Sequence, residues 1–255
     1  MKKLSVVVIT RDEEHNIRRC LESVKWADEI VVIDSHSTDR TVEIAAEFDA
    51  LVYKIEWGGF GPAKREGVDR ATGEWILSLD ADEVVSQELA AEIKKALKGD
   101  NEYSGYYMPR KANFLGRWIY HCGWYPDPVL RLFDKSRGNF NDALVHEKVR
   151  LEGRVGRLKG ELLHYSYPTL ESYFVKFNRY TAMGAEAAFG KGKSAGWFDI
   201  LVKPPVSFLK HYIIKQGFRD GWEGFLISIL SSAAVLVKYA KLRELKKNRN
   251  GSKNE

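Results

Sequence analysis

Short apolar runs alternate with amphipathic stretches along the first hundred residues. Four runs rich in β-branched or aromatic residues predict strands, at Leu4 to Thr10, Glu29 to Asp34, Ala50 to Ile55 and Trp75 to Leu79. Helical spacing of apolar residues between and after them predicts helices over Glu13 to Val24, from Thr38 or Asp39 through Ala46, from Gly61 towards Gly73, and over Ser86 to Leu97. This alternation is typical of βαβ units, so we expect an α/β fold with a mostly parallel sheet.

The rest of the chain changes character twice. Residues 103–167 are aromatic-rich short runs that predict strands and loops, and the chain becomes helical from Leu170 until Pro204 interrupts it. The most apolar run, Phe225 to Val237, is shorter than the roughly 20 residues that span a bilayer, so we expect an interfacial or a packed helix. We therefore predict a domain at 1–168 with halves at 1–100 and 101–168, a helical membrane-associating region at 169–247, and a disordered tail at 248–255.

Composition narrows the class of protein. A chain of 255 residues with 44% hydrophobic content can bury a sizeable core. Its two cysteines, Cys20 and Cys122, have no metal-site spacing and fit a reducing cytosol. Residues 203–255 hold eleven Lys or Arg and four Asp or Glu, a net of +7, which leaves −2 on residues 1–202. This uneven charge predicts an anionic membrane surface as a partner and argues against a nucleic-acid groove on the main domain.

Carboxylates cluster where the fourth predicted strand ends, at Asp80-Ala81-Asp82-Glu83. Two ionised aspartates one residue apart repel each other unless a positive charge lies between them. Carboxylate oxygen suits Mg²⁺ or Mn²⁺, which complete their coordination with water and substrate phosphates. The alternative is a solvated turn before the next helix.

Polar residues also end the first two strands, in Thr10-Arg11-Asp12-Glu13-Glu14 and in Asp34-Ser35. Ligands bind at the carboxyl ends of strands in open α/β sheets, so these ends and Asp80 predict one pocket. We assign Thr10, Arg11, Glu13 and Ser35 to it, with Asp34 accepting from a nucleobase, Asp80 from a ribose hydroxyl, and Asp82 holding the metal. Lys64, at the start of a helix, would bind a diphosphate. Helix capping by Asp34 and Ser35, and a solvated Lys64, are the alternatives.

The ordered set of motifs resembles family 2 glycosyltransferases. It comprises Val6 to Glu14, Ile33 to Thr41, Ala63 to Gly67 and Leu79 to Glu83, and continues through Arg131 to Phe133 and Val145 to Val149. The resemblance implies a GT-A fold, a nucleotide-diphosphate sugar donor, a divalent metal ion at Asp-x-Asp, and inversion at the anomeric carbon. It also implies that residues 1–100 are the donor half of the domain and residues 101–168 the acceptor half. The later motifs resemble the branch of lipopolysaccharide core glucosyltransferases, which implies UDP-glucose and a lipid-linked saccharide acceptor.

An inverting transfer needs a general base, and a carboxylate is the usual choice. On the family pattern Glu147 is our first candidate and Asp127 the second, and a structural ion pair is the alternative for both. His164 is a candidate extra metal ligand, as a histidine in this part of the chain is in some GT-A enzymes, or else a core histidine.

Two other functions stay open at this point. A nucleotidyltransferase uses a similar sheet and metal, but Thr10 to Glu14 has no glycine for a phosphate loop. A non-catalytic membrane-associated module would keep only nucleotide-sugar binding. Our prediction is a metal-dependent inverting glycosyltransferase, cytoplasmic and peripheral on the inner face of the cytoplasmic membrane.

Overall fold

The computed structural model describes residues 2–99, 102–141 and 148–251. The chain forms two compact units, the first from residues 1–111 and 127–165 and the second from residues 112–126 and 166–255. The sequence-based division at residue 168 did not separate 112–126 from the first domain. This segment belongs to the second unit because Ile119 and Cys122 pack with Ile227 and Leu230.

Most of a mixed sheet lies in the first unit, and its residues 112–118 and 166–167 belong to the second. The strands are β1 Leu4–Thr10, β2 Glu29–Asp34, β3 Leu51–Lys54, β4 Trp75–Asp80, β5 Glu83–Val85, β6 Gly105–Phe114, β7 Arg117–Trp118, β8 Asp127–Asp134, β9 Gly138–Phe140, β10 Val149–Leu151, β11 Val155–Arg157 and β12 Leu162–Tyr167. The main order is β3-β2-β1-β4-β8-β6-β12-β5, with β7 and β11 also paired to β6 and a separate β9–β10 pair. Strands β3, β2, β1 and β4 are parallel, and β8 joins β4 antiparallel.

Helices α1 Ile17–Val24, α2 Thr41–Ala46, α3 Phe60–Arg70 and α4 Gln87–Lys98 follow the strands as the alternation predicts. Strand β1 is buried along its whole length, with apolar side chains on both faces, because a parallel sheet is covered by helices on both sides. Helix α3 lies close to β1, since a Cβ at Gly67 would stand 2.3 Å from the Val7 side chain. The predicted α/β fold with a C-terminal helical extension is confirmed.

The second unit is mainly helical. Its helices are α5 Leu170–Gly190, α6 Trp197–Leu201, α7 Lys203–Leu209, a π-helical turn Lys210–Ile214, a 3₁₀ turn Gly217–Asp220 and α8 Gly221–Gly251. Pro204 lies in the first turn of α7, where proline is tolerated, so the predicted break falls between α6 and α7. The core forms where Ile227 and Leu230 of α8 pack with Tyr173 of α5.

Helix α8 is longer than the apolar run suggested. Among the described residues, Gly217–Asn248 has a mean hydropathy of 1.6 in its most apolar window, of which 22% is buried. By length and composition alone it passes the test for a membrane-crossing helix, which core helices and signal sequences also pass. The predicted tail at 248–255 begins inside α8, which continues to Gly251, and residues 252–255 lie outside the described part.

Candidate active site

Three strand ends meet at one edge of the parallel sheet. In the register of β1 and β2, Thr10 pairs with Asp34, and in that of β1 and β4, Ile9 pairs with Asp80. The strands therefore end level with one another, and their last residues and following loops share the carboxyl edge. This brings together the residues that the sequence assigned to one pocket.

The loops after β1 and β2 are tied to each other. The backbone N–H of Asp12 donates to Ser37 Oγ (2.8 Å), and that of Thr38 donates to Asp12 Oδ1 (2.7 Å). Asp34 is fully buried, and its carboxylate accepts from the Ser37 N–H (3.1 Å to Oδ2) and hydroxyl. Asp34 thus holds the loop after β2. It does not cap helix α2, which begins at Thr41 with Arg40 at its N-cap, and nucleobase recognition by Asp34 stays a prediction.

The other residues assigned to these loops have different environments. Thr10 Oγ1 is buried and has no hydrogen-bond partner among the described residues, so it could accept from or donate to a ligand. Ser35 is also buried, and its N–H donates to the Thr10 carbonyl (3.0 Å). Glu13 accepts from Asn16 Nδ2 (2.6 Å) beside helix α1, whereas the Arg11 side chain is 60% exposed.

A network of buried and partly buried charges surrounds the end of β4. The Lys64 ammonium group lies 2.9 Å from Asp80 Oδ1, and Arg131 Nη2 lies 2.6 Å from Asp80 Oδ2. The same Arg131 nitrogen lies 2.7 Å from Glu83 Oε1, and Arg110 Nη1 lies 3.2 Å from it. Glu83 also accepts from the Asp80 backbone N–H (3.0 Å). Two carboxylates are thereby fixed by three basic side chains.

Burial and charge oppose each other in this network. Burial disfavours the ionised carboxylate of Asp80, but Arg131 and Lys64 outweigh it and hold the pKa of Asp80 well below its usual range. Burial likewise disfavours the charged guanidinium of Arg131, while Asp80 and Glu83 raise its pKa above the usual value. Arg131 and Lys64 therefore keep Asp80 in its ionised form, which accepts hydrogen bonds. Lys64, predicted to bind a diphosphate, is fully buried and contacts Asp80 instead of bulk solvent.

Sequence reasoning did not assign roles to Arg131, Arg110 or Glu83. Arg131 reaches Asp80 because β8 pairs antiparallel with β4 through Leu132 and Leu77, which carries Arg131 towards the carboxyl end of β4. A signal was present in the sequence, since Arg131 is the one charged residue inside Val129-Leu130-Arg131-Leu132-Phe133. A charge inside an apolar strand needs a carboxylate partner when the strand is buried.

Asp82 and His164 form a second, more accessible pair. Strand β12 pairs with β5 so that His164 faces Glu83, and the Tyr165 N–H donates to the Asp82 carbonyl (2.9 Å). His164 Nε2 then lies 3.2 Å from Asp82 Oδ2, with side chains 18% and 14% exposed. The structure thus brings together the two predicted metal ligands, which come from sequence positions 82 apart.

The donor set of this pair suits a divalent ion. Carboxylate oxygen and imidazole nitrogen are both ligands for Mn²⁺ and similar metals. Within the described residues no group of three His, Cys, Asp or Glu is placed to hold a metal. Asp82 and His164 would therefore supply two ligands and leave other positions for water and substrate oxygens, as is common for Mg²⁺ and Mn²⁺ at phosphate sites.

The structure describes one of the two candidates for the general base, Asp127. Asp127, at the start of β8, accepts from Arg110 Nη2 (2.7 Å) and Nε (3.0 Å), and its side chain is 46% exposed. This contact is the structural ion pair that is the alternative to a role as general base. Glu147 lies outside the described residues, so its position stays a prediction.

Comparison with known proteins agrees with this geometry. The family model "Glycosyl transferase family 2" matches residues 5–153. An uncharacterized glycosyltransferase of Rickettsia typhi is 33% identical, covering 98% of this chain and 90% of that protein. The lipopolysaccharide core biosynthesis glycosyltransferase LpsC of Rhizobium meliloti is 27% identical, covering 94% of this chain and 91% of LpsC.

A solved structure supports the fold. The mannosyltransferase PcManGT of Pyrobaculum calidifontis, determined with GDP-Man and Mn²⁺, superposes with a TM-score of 0.55 at 15% identity, covering 94% of this chain and 87% of that one. The family match extends over more than half of the chain and includes the carboxyl edge that holds Asp80 and Asp82. The chain belongs to glycosyl transferase family 2, whose members move a sugar from a nucleotide-sugar donor.

Proposed function

We propose that the protein is a divalent-metal-dependent, inverting hexosyltransferase that moves glucose from UDP-glucose to a lipid-linked saccharide, the inner core of lipopolysaccharide. The observation that carries the metal-dependent part is the Asp82–His164 pair, 3.2 Å apart and two residues from Asp80 at the end of β4. The proposal for the acceptor draws on the similarity to LpsC, whose name assigns it to lipopolysaccharide core biosynthesis.

Each residue would have a distinct role in binding the donor. Asp80, held ionised by Lys64 and Arg131, would accept a hydrogen bond from a ribose hydroxyl. Asp82 and His164 would hold the divalent ion, which neutralises negative charge on the departing diphosphate. Thr10 Oγ1, buried without a partner among the described residues, would bind the nucleotide at the adjacent strand end.

A carboxylate would deprotonate the acceptor hydroxyl as the sugar transfers, and we keep Glu147 as the first candidate. Asp127 is the second, although its carboxylate is already engaged by Arg110 Nη2 at 2.7 Å. A lipid-linked acceptor requires the enzyme to work at a membrane. The net charge of +7 over residues 203–255 supports a peripheral position on an anionic cytoplasmic membrane surface.

Release of nucleoside diphosphate from a panel of nucleotide sugars tests the proposal. Assays would contain Mn²⁺, Mg²⁺ or EDTA, with and without lipid-linked core oligosaccharide. We expect release from UDP-glucose with a metal, stimulation by acceptor, and loss of at least a hundredfold in Asp82→Ala. Asp69→Ala is the matched control, because Asp69 bonds Asn139 at an exposed position away from the carboxyl edge. Release that is unaffected by EDTA and by Asp82→Ala would contradict the metal site.

Product stereochemistry separates inversion from retention. Proton NMR of the first product formed from an α-linked donor should show a β-anomeric coupling, and an α-linked product would contradict the single displacement. Tight nucleotide-sugar binding without release or transfer on any acceptor would favour the non-catalytic binding module instead.

A further inference from the structure

A run of short helices in the second unit has its apolar side facing outward. Helices α6 and α7 and the π-helical turn follow each other over residues 197–214, here called the amphipathic segment. Six of its apolar residues recur at intervals of one, three or four positions and form one side of a helix, here called the apolar stripe: Phe198, Leu201, Val202, Val206, Leu209 and Ile213. Their exposed fractions range from 39% to 65%. Surface helices normally turn such a stripe towards the core.

The opposite side of the amphipathic segment accounts for this orientation. Phe208 and Tyr212 stack on each other (5.3 Å between ring centroids) and both pack against Phe225 of α8 (6.1 and 5.7 Å). Pro204 is buried, and its carbonyl accepts from Ser232 Oγ (2.7 Å). The segment already uses one apolar side to pack on its own unit, so the stripe is a second apolar side that the described residues of this unit leave exposed.

The charges beside the stripe are basic. Residues 191–222 contain six Lys or Arg and two Asp or Glu. Of the two acidic residues, Asp220 is buried and bonds the His121 ring (2.9 Å), and Asp199 lies 2.6 Å from Lys203. The unneutralised charge around the stripe is therefore positive, and it is complementary to a partner that is apolar inside and anionic at its surface.

Tryptophans mark both ends of this region. Trp197 begins the amphipathic segment and is 68% exposed, and Trp222 at the start of α8 is 65% exposed. Ile214, at the end of the segment, is 72% exposed. Tryptophan is enriched at the boundary between lipid headgroups and acyl chains, where its ring is apolar and its N–H polar.

From these observations we infer that the apolar stripe inserts in the plane of an anionic phospholipid membrane, with Trp197 and Trp222 in the headgroup region and the neighbouring basic side chains binding lipid phosphates. The inference rests on the proposed function only in that a lipid-linked acceptor brings the enzyme to a membrane. The Phe225 to Val237 run of α8 was expected to be interfacial or packed, and packing holds at two of its positions. In α8 the apolar residues Ile227 and Leu230 are buried in the core of the second unit.

Vesicle flotation of the full chain tests the inference, with phosphatidylcholine vesicles prepared with and without phosphatidylglycerol. We expect binding only to the anionic vesicles. A stripe variant with Leu201→Gln, Leu209→Gln and Ile213→Gln should bind more than tenfold more weakly, because each residue loses apolar burial in lipid. All three side chains are more than half exposed, so the fold should be kept. The matched control carries Leu51→Gln, Leu170→Gln and Val175→Gln, three exposed apolar positions outside the segment, and should bind normally.

Three single variants test the basic side chains. Lys210→Gln, Lys215→Gln and Arg219→Gln should each weaken binding to anionic vesicles by about fivefold, and the effect should shrink at high salt. Quenching of tryptophan fluorescence by brominated lipid should fall in Trp197→Phe, because Trp197 would lie at the depth of the bromines.

Several results would overturn the inference. One is no binding by the native chain, and another is equal binding by the stripe variant and its control. Retention in the vesicles after alkaline carbonate extraction would assign membrane contact to a spanning α8. A solution dimer that dissociates in the stripe variant, with vesicle binding unchanged, would assign the stripe to a second copy of the chain. Nucleoside diphosphate release from a soluble donor, measured in parallel, reports separately on the proposed transferase activity.

Discussion

Replacing Arg131 by methionine should be among the most damaging single changes in the first unit. The Arg131 side chain is 7% exposed, and one of its nitrogens lies within 2.7 Å of carboxylate oxygens on both Asp80 and Glu83. Methionine retains much of the volume but removes the charge, so Glu83, which is 0% exposed, keeps Arg110 at 3.2 Å and the Asp80 N–H at 3.0 Å. Breaking a buried ion pair costs about 3–5 kcal/mol. Lys64 still pairs with Asp80, and Arg110 still pairs with Glu83. We therefore expect the free energy of unfolding to fall by about 3 kcal/mol, the lower end of this range.

The pH dependence has a definite sign. Arg131 and Lys64 hold the folded-state pKa of Asp80 below its usual range despite burial, so the stabilisation is present above the unfolded pKa of about 4 and is lost as pH falls towards the folded value. Without Arg131 the pKa of Asp80 rises. The acid unfolding transition of Arg131→Met should therefore begin at a higher pH than that of the native protein.

Urea unfolding followed by far-ultraviolet circular dichroism measures both effects. Arg40→Met is the matched control, because the Arg40–Glu43 pair has side chains 70% and 73% exposed and its loss should cost less than about 1 kcal/mol. Adding Glu83→Gln to Arg131→Met should recover part of the loss, since a neutral amide needs no counter-charge. Equal destabilisation by Arg131→Met and Arg40→Met would refute the reasoning.

Three further predictions follow from single side chains. Thr10→Val removes a buried hydroxyl without a described partner, so the free energy of unfolding should stay equal or rise by about 1 kcal/mol. The KM for the donor should increase, and an unchanged KM would show that Thr10 does not bind the donor. Ser86→Ala deletes the cap that accepts from the Leu89 N–H (3.1 Å), and thermal unfolding should show a loss of about 1 kcal/mol. Burial raises the pKa of the Cys122 thiol to about 11, so iodoacetamide should label it slowly in the native protein at mildly alkaline pH and quickly in urea; fast native labelling would contradict its burial.

Local sequence patterns predicted the parallel half of the sheet well. Alternation of β-branched runs and helical stretches located β1, β2 and β4, and parallel strands must end at the same edge, which brought Thr10, Asp34 and Asp80 together. The carboxylates that follow a buried strand were visible as a cluster. The family resemblance added His164, which the pairing of β12 with β5 places beside Asp82.

The network around Asp80 could not be predicted in the same way. Arg131 and Arg110 reach the site through antiparallel pairing of β8 with β4 and β6, whose register depends on contacts between residues far apart in sequence. The sequence around Lys64 did not indicate that its side chain would be buried against the sheet. That burial depends on the close approach of α3 to β1 at Gly67. The apolar stripe was missed because helical spacing identifies an apolar face but does not say whether protein covers it.

Direct measurement of Mn²⁺ binding tests the central claim, that Asp82 and His164 hold the metal at the donor site. Electron paramagnetic resonance would follow free Mn²⁺ during titration of the native chain, Asp82→Ala, His164→Ala and the control Asp69→Ala, each with and without UDP. The account predicts that UDP tightens Mn²⁺ binding to the native chain and the control. It also predicts that each site variant weakens binding at least tenfold. Equal Mn²⁺ affinity in all four proteins, with the same response to UDP, would contradict the assignment of Asp82 and His164 as ligands.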